Sequence, residues 1–251
     1  MNGRASKHIL YFHGFASSPH SQKVTRLRKL LDDFELDAPD LNVPSFERLD
    51  FDAMVDLGAA RGRAAAPDAI VGSSLGSMVA LAVARRMWDG FSTRPRPQSG
   101  RPSGGGWVEN PSHISGGGRV ENPSHIILIA PPLGMTSHWI SRLPAGDPIS
   151  VFNHARNGDA PIHRAFFERM ARVDVDREPP PQPVTVIIGR NDETVPFDGV
   201  HARWLQWETS GRLARGSRFV EIPNGDHGLV EFADVIAGEI RAAVRFSGAR
   251  A

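Results

Sequence analysis

Cysteine is absent from the 251 residues, which removes disulfides, thiolate zinc sites and a cysteine nucleophile. Serine, threonine or carboxylate chemistry is what remains. Long apolar runs are missing too: nothing approaches the roughly 18–20 consecutive apolar residues that span a bilayer. The run Ile9–Phe12 after the polar stretch Met1–Lys7 is too brief for a secretory h-region. A cytoplasmic protein that engages no membrane is expected. Charge of one sign is also lacking, with 29 basic side chains against 28 acidic ones, so nothing in the composition asks for nucleic acid or builds an acidic tail.

The chain that is present has 40% hydrophobic and 23% charged residues, the balance of a globular protein able to bury one sizeable core. Short apolar runs alternate with helical patterns. His8–His13, Ala69–Val71, His125–Ala130, Val184–Ile188 and Arg218–Ile222 read as strands, with a shorter one within Glu35–Leu41. Ser21–Phe34, Phe46–Ala65, Leu75–Trp88, Phe197–Glu208 and Leu229–Phe246 read as helices, the first through a stripe at Val24, Leu27, Leu30 and Leu31. Such alternation implies βαβ units and an α/β fold: one domain with a mainly parallel sheet and helices on both faces. Ligands in such sheets bind beyond the carboxyl ends of the strands.

Two segments interrupt the alternation. Residues 90–123 hold 8 Gly and 5 Pro among 34 positions and read as an inserted surface loop. A direct repeat lies there, GGGWVENPSHI at 104–114 and GGGRVENPSHI at 116–126, and two copies are too few for a solenoid. A ligand or metal loop using Glu109/His113 and Glu121/His125 is the functional alternative. The triple glycines lack the Lys-Ser/Thr of a phosphate cradle, and no metal site is expected. Residues 132–183 are predicted to hold amphipathic helices at Thr136–Leu143 and Pro161–Val173, a candidate cap over the strand ends. Trp139, Phe152, Phe166 and Phe167 are its candidate pocket or core aromatics.

Four strand ends carry the residues of interest. Gly72-Ser73-Ser74-Leu75-Gly76 fits G-x-S-x-G, entered from a strand and left by a helix rich in small residues. Gly72 and Gly76 allow a sharp turn that lifts Ser74 above the sheet. The helix aims its first N–H groups at the same point. Ser74 is then a nucleophile candidate and Leu75 N–H an oxyanion donor, with Phe15 N–H in His13-Gly14-Phe15 as the second. His13 itself reads as structural. Asp192 follows Val184–Ile188 and is the acid candidate, with Glu193 as fallback. His227, in Asn224-Gly225-Asp226-His227-Gly228, is the one of ten histidines that both follows a strand and lies C-terminal to that acid.

The order Ser74, Asp192, His227 resembles that of the α/β-hydrolase superfamily over nearly the whole chain. YFHGFASSPHSQK at 11–23 and VGSSLGSM at 71–78 are similar, more narrowly, to the small YqiA-type esterases, with Ser77 where a second glycine is common. The resemblance implies a serine hydrolase acting on small or short-acyl carboxylic esters, without a cofactor. A thioester, amide or lactone in place of the ester, or a binding protein on the same scaffold, stays open from residues alone. Oligomeric state is not read from the sequence.

Overall fold

The computed structural model describes residues 7–92, 123–135, 140 and 143–247. In chain order the elements are β1 (Lys7–Phe12), α1 (Gln22–Leu30), β2 (Phe34–Asp37), α2 (Phe51–Ala65), β3 (Ala69–Ser73), α3 (Leu75–Ser92), β4 (His125–Ile129), β5 (Ile149–Asn153), β6 (Gly158–Ile162), α4 (Arg164–Met170), β7 (Val184–Gly189), α5 (Phe197–Thr209), β8 (Arg218–Ile222) and α6 (Ala233–Ser247). Six strands form one sheet in the order β2-β1-β3-β4-β7-β8, parallel at every pairing.

The central strands are near-continuous apolar runs because both of their faces are covered. Every residue of β3, β4 and β7 is buried. Side chains alternate between two cores. Ile9, Tyr11, Val71 and Ile127 meet α1 and α6 through Val24, Leu27, Ile236 and Ile240. Leu10, Phe12, Ile70 and Leu128 meet α2, α3 and α5 on the other face, through Met54, Met78, Val83 and Trp204. The sheet is the parallel α/β sheet expected, and helices lie on both of its sides.

Boundaries shift modestly. Ser21 caps α1, its Oγ accepting from Val24 N–H, rather than opening the helix. The segment read as one helix from Phe46 splits into a single turn, Phe46–Arg48, and α2, capped by Asp50, whose carboxylate accepts from Ala53 N–H at 2.9 Å. The helix after the G-x-S-x-G turn runs on to Ser92, past the Trp88 end expected for it and into the start of the 90–123 segment.

The helix expected at Pro161–Val173 needs the larger correction. Only Arg164–Met170 is helical. Ahead of it, β5 and β6 pair antiparallel, with Ser150 opposite Pro161. Gly158 and Pro161 obscured this hairpin, because both weaken a strand pattern. In a two-stranded ribbon each strand is an edge, where proline is tolerated. Most of residues 90–123, the glycine-rich repeat with Glu109, His113 and Glu121, the Thr136–Leu143 helix and Trp139 lie outside the described residues. His125, proposed with Glu121 for a metal loop, instead opens β4. It is buried, hydrogen-bonded to Thr185 Oγ1 at 2.8 Å, and lowered to about 4 by that burial. Among the described residues no helix is long and apolar enough to cross a membrane.

Candidate active site

The turn between β3 and α3 is built on two close approaches. A Cβ at Gly72 would stand 2.3 Å from Gly76 O, and one at Gly76 would stand 2.1 Å from Phe12 O. Only glycine lets the first turn of α3 sit this tightly against β1 and β3. Between them Ser74 takes φ +52°, a left-handed conformation costly for a residue with a Cβ, held by its N–H donating to Ile129 O at 2.8 Å. The strain lifts the side chain clear of the sheet. Ser77, noted in the sequence as a departure, uses its hydroxyl inside this turn, donating to Gly72 O at 2.9 Å. That is a bond glycine cannot make.

His227 stands on the loop after β8, its Nε2 3.1 Å from Ser74 Oγ. Its Nδ1 lies 2.8 Å from Asp192 Oδ2 and 3.1 Å from Oδ1. Asp192 follows β7, and its side chain is fully shielded from solvent. Asp192 Oδ1 also accepts from the N–H groups of Thr194 (2.9 Å) and Val195 (2.7 Å), so the carboxylate is fixed in orientation. A carboxylate can only accept, so Nδ1 carries the ring proton and Nε2 faces Ser74 with a lone pair. The structure thus brings Ser74, Asp192 and His227 into one hydrogen-bonded line. Glu193, the fallback acid, is exposed.

Phe15 and Leu75 flank this line. Among the described residues neither backbone N–H is spent on another acceptor. The Phe15 ring fixes its loop: it stacks on Phe166 at 6.0 Å and meets Phe167 at 5.6 Å and Phe46 at 5.8 Å. His13 is buried and structural in its bonding. Leu41 N–H donates to its Nε2 at 2.9 Å, leaving Nδ1–H to donate to Gly14 O at 2.9 Å.

A cleft of about 580 Å³ opens beside Ser74 and His227. Its walls mix polar and apolar surface, the polar part including Ser17, Ser18, His20, Lys23 and Ser73, and the lining also takes in His154 and Ala155. The last two come from the β5–β6 turn, tied down by His154 N–H donating to Ala16 O at 2.9 Å, so the candidate cap reaches the cleft through this hairpin. Phe166 and Phe167 are core residues rather than cleft walls, and Phe152 is exposed against His154.

Lys23 closes the 11–23 stretch that carries the family resemblance, but the sequence reading gives it no role of its own. It is 9% exposed and donates to Ser73 Oγ at 2.8 Å, and burial lowers it to about 8 although Asp226 and Asp192 act to raise it. Its signal was available: Lys23 lies four residues before Leu27 and beside Val24, on the buried face of α1.

Comparison with known proteins agrees with this architecture. No curated protein among those compared matches the chain. The fold is shared with the esterase domain of a Rhodothermus marinus protein, at 17% identity and a TM-score of 0.62, covering 98% of this chain and 89% of that one. It is shared with alpha/beta hydrolase domain-containing protein 10 from mouse, at 17% identity and a TM-score of 0.62, over 98% and 92%. A thermophilic esterase from Thermogutta terrifontis matches at 19% identity and a TM-score of 0.55, over 96% and 90%. Likeness at these identities establishes fold alone. The sequence itself matches the alpha/beta hydrolase family across residues 9–239, and with the parallel sheet and the strained turn at Ser74 this places the chain in that family.

Proposed function

We propose that the protein is a serine esterase cleaving small carboxylic esters through an acyl-enzyme. The observation that carries the reading is the line from Asp192 through His227 to Ser74 at the mouth of a cleft. His227 Nε2 takes the Ser74 proton as Oγ attacks the ester carbonyl carbon. The N–H groups of Phe15 and Leu75 receive the charge that develops on the carbonyl oxygen. Collapse of the tetrahedral species breaks the bond to the alcohol oxygen, which leaves with the proton held by His227. Water repeats the cycle on the acyl group and releases the acid. Asp192 holds the imidazole in the tautomer this requires and stabilises the imidazolium that forms.

The cleft size and its serine and histidine walls support short, polar substrates, in keeping with the resemblance to small YqiA-type esterases. A p-nitrophenyl ester series from acetate to palmitate tests this. Turnover is expected to be highest at two to four acyl carbons and to fall towards palmitate. Asp192→Asn keeps the size of the side chain but offers an N–H to Nδ1, inverting the tautomer. It is expected to lower kcat by about 10³–10⁴-fold. A folded wild type inert on the whole series would refute the ester reading.

A further inference from the structure

The α1 side of the cleft holds a group the mechanism above does not use. Lys23 buries nine-tenths of its surface, yet among the described residues no carboxylate stands within ion-pair distance of its ammonium. Of the three protons on Nζ, one goes to Ser73 Oγ. The acids that act on it through space are engaged elsewhere: Asp192 with His227 and two backbone N–H groups, Asp226 with Leu229 N–H at 2.7 Å. A buried ammonium bonded to a neutral hydroxyl, with no carboxylate beside it, is expensive, and an anion bound next to it would offset that cost. Lys23 lines the cleft, so a bound molecule can reach it.

The surroundings favour an anion. Lys23 lies in the first turn of α1, which has no acidic residue and directs the positive end of its dipole the same way. The Tyr11 hydroxyl adjoins Ser73, and burial pushes its pKa up, so it stays a neutral hydroxyl. Among the described residues no arginine lines the cleft, so they supply none of the forked donors typical of phosphate recognition, and one ammonium matches one negative charge. Ser73 precedes Ser74, which places this seat one residue from the reacting oxygen.

We propose that Lys23, with the Ser73 and Tyr11 hydroxyls beside it, seats an ionised carboxylate carried by the substrate, so that the cleft selects acidic esters. The inference rests on the esterase reading. Lys23 is here a specificity residue, and its cost to the fold is offset when substrate binds.

Two matched ester pairs and one binding measurement test it. Mono-(4-nitrophenyl) glutarate against 4-nitrophenyl valerate places the carboxylate on the acyl side, and 4-acetoxybenzoate against 4-acetoxybenzamide places it on the leaving group. In wild type, one acidic ester should exceed its neutral counterpart in kcat/KM by about 10- to 100-fold. In Lys23→Met that ratio should collapse towards one. Calorimetry with glutarate alone should show binding to wild type that weakens at least about 10-fold in the variant. The variant should also melt at a higher temperature than wild type, whereas a lysine serving the fold would leave it melting lower. Equal turnover within both pairs in wild type, glutarate binding unaffected by the substitution, or inorganic phosphate binding in its place would each overturn the proposal. If all four esters are inert the esterase reading fails by itself, and the glutarate titration still decides whether Lys23 seats a carboxylate.

Discussion

Replacing Ser74 with alanine is expected to lower kcat for short p-nitrophenyl esters by about 10⁴-fold or more while the protein stays folded. The substitution removes one oxygen and little else. The bond from the residue-74 N–H to Ile129 O belongs to the backbone, and alanine meets the same left-handed conformation as serine with the same Cβ. Secondary structure and melting temperature should therefore move little, and the activity loss reads on chemistry. A fluorophosphonate probe should add its mass to the wild-type peptide containing Ser74 and leave the variant unlabelled. The rival is near at hand: Ser73 is adjacent and bonded to a lysine. Activity retained in Ser74→Ala and lost in Ser73→Ala would move the nucleophile to Ser73 and undo the assignment of His227, whose Nε2 is within reach of Ser74.

Gly76→Ala is expected to damage the fold itself. The new methyl would sit 2.1 Å from Phe12 O and 2.6 Å from Phe12 C, both backbone atoms of a central strand. A side chain could rotate away, but the carbonyl of β1 cannot move without disturbing its pairing with β3. Overpacking of this kind costs more than about 3 kcal/mol, a large share of the roughly 5–15 kcal/mol that holds a domain together. Loss of the near-UV circular dichroism signal, or a steep fall in the denaturant midpoint, is the expected outcome. Gly238, in α6, is the control. A Cβ there meets nothing within 4 Å, so Gly238→Ala should stabilise by about 0.5–1 kcal/mol through helix propensity. If Gly76→Ala melts with the wild type, the described approach of α3 to β1 is wrong.

The sequence made the sheet legible because its central strands are buried on both faces, and uninterrupted runs such as HIILI and VTVII are what that burial demands. The strand-end positions of Ser74, Asp192 and His227 were legible for a related reason, since a parallel sheet collects its loops at one end. The β5–β6 hairpin was not, because only four of its ten strand residues are buried and its second strand carries Gly158 and Pro161. The aromatic residues of the cap were ambiguous because burial in a core and burial against a ligand select the same side chains. Lys23 was obscured differently. A lysine in a helix ordinarily turns to solvent, and only its position beside Val24 and ahead of Leu27 marks it as inward.

The three residues on which the proposed chemistry depends hang from β3, β7 and β8, and among the described residues β8 is an edge strand, hydrogen-bonded to β7 alone. An outer strand is among the first parts of a sheet to fray, at a free energy below that of global unfolding. His227 would leave with it, while the inner strands and their helices stay assembled. During denaturation turnover should thus vanish before the helical signal does. The enzyme would be switched off by a local opening at its own margin and restored without refolding from the unfolded chain.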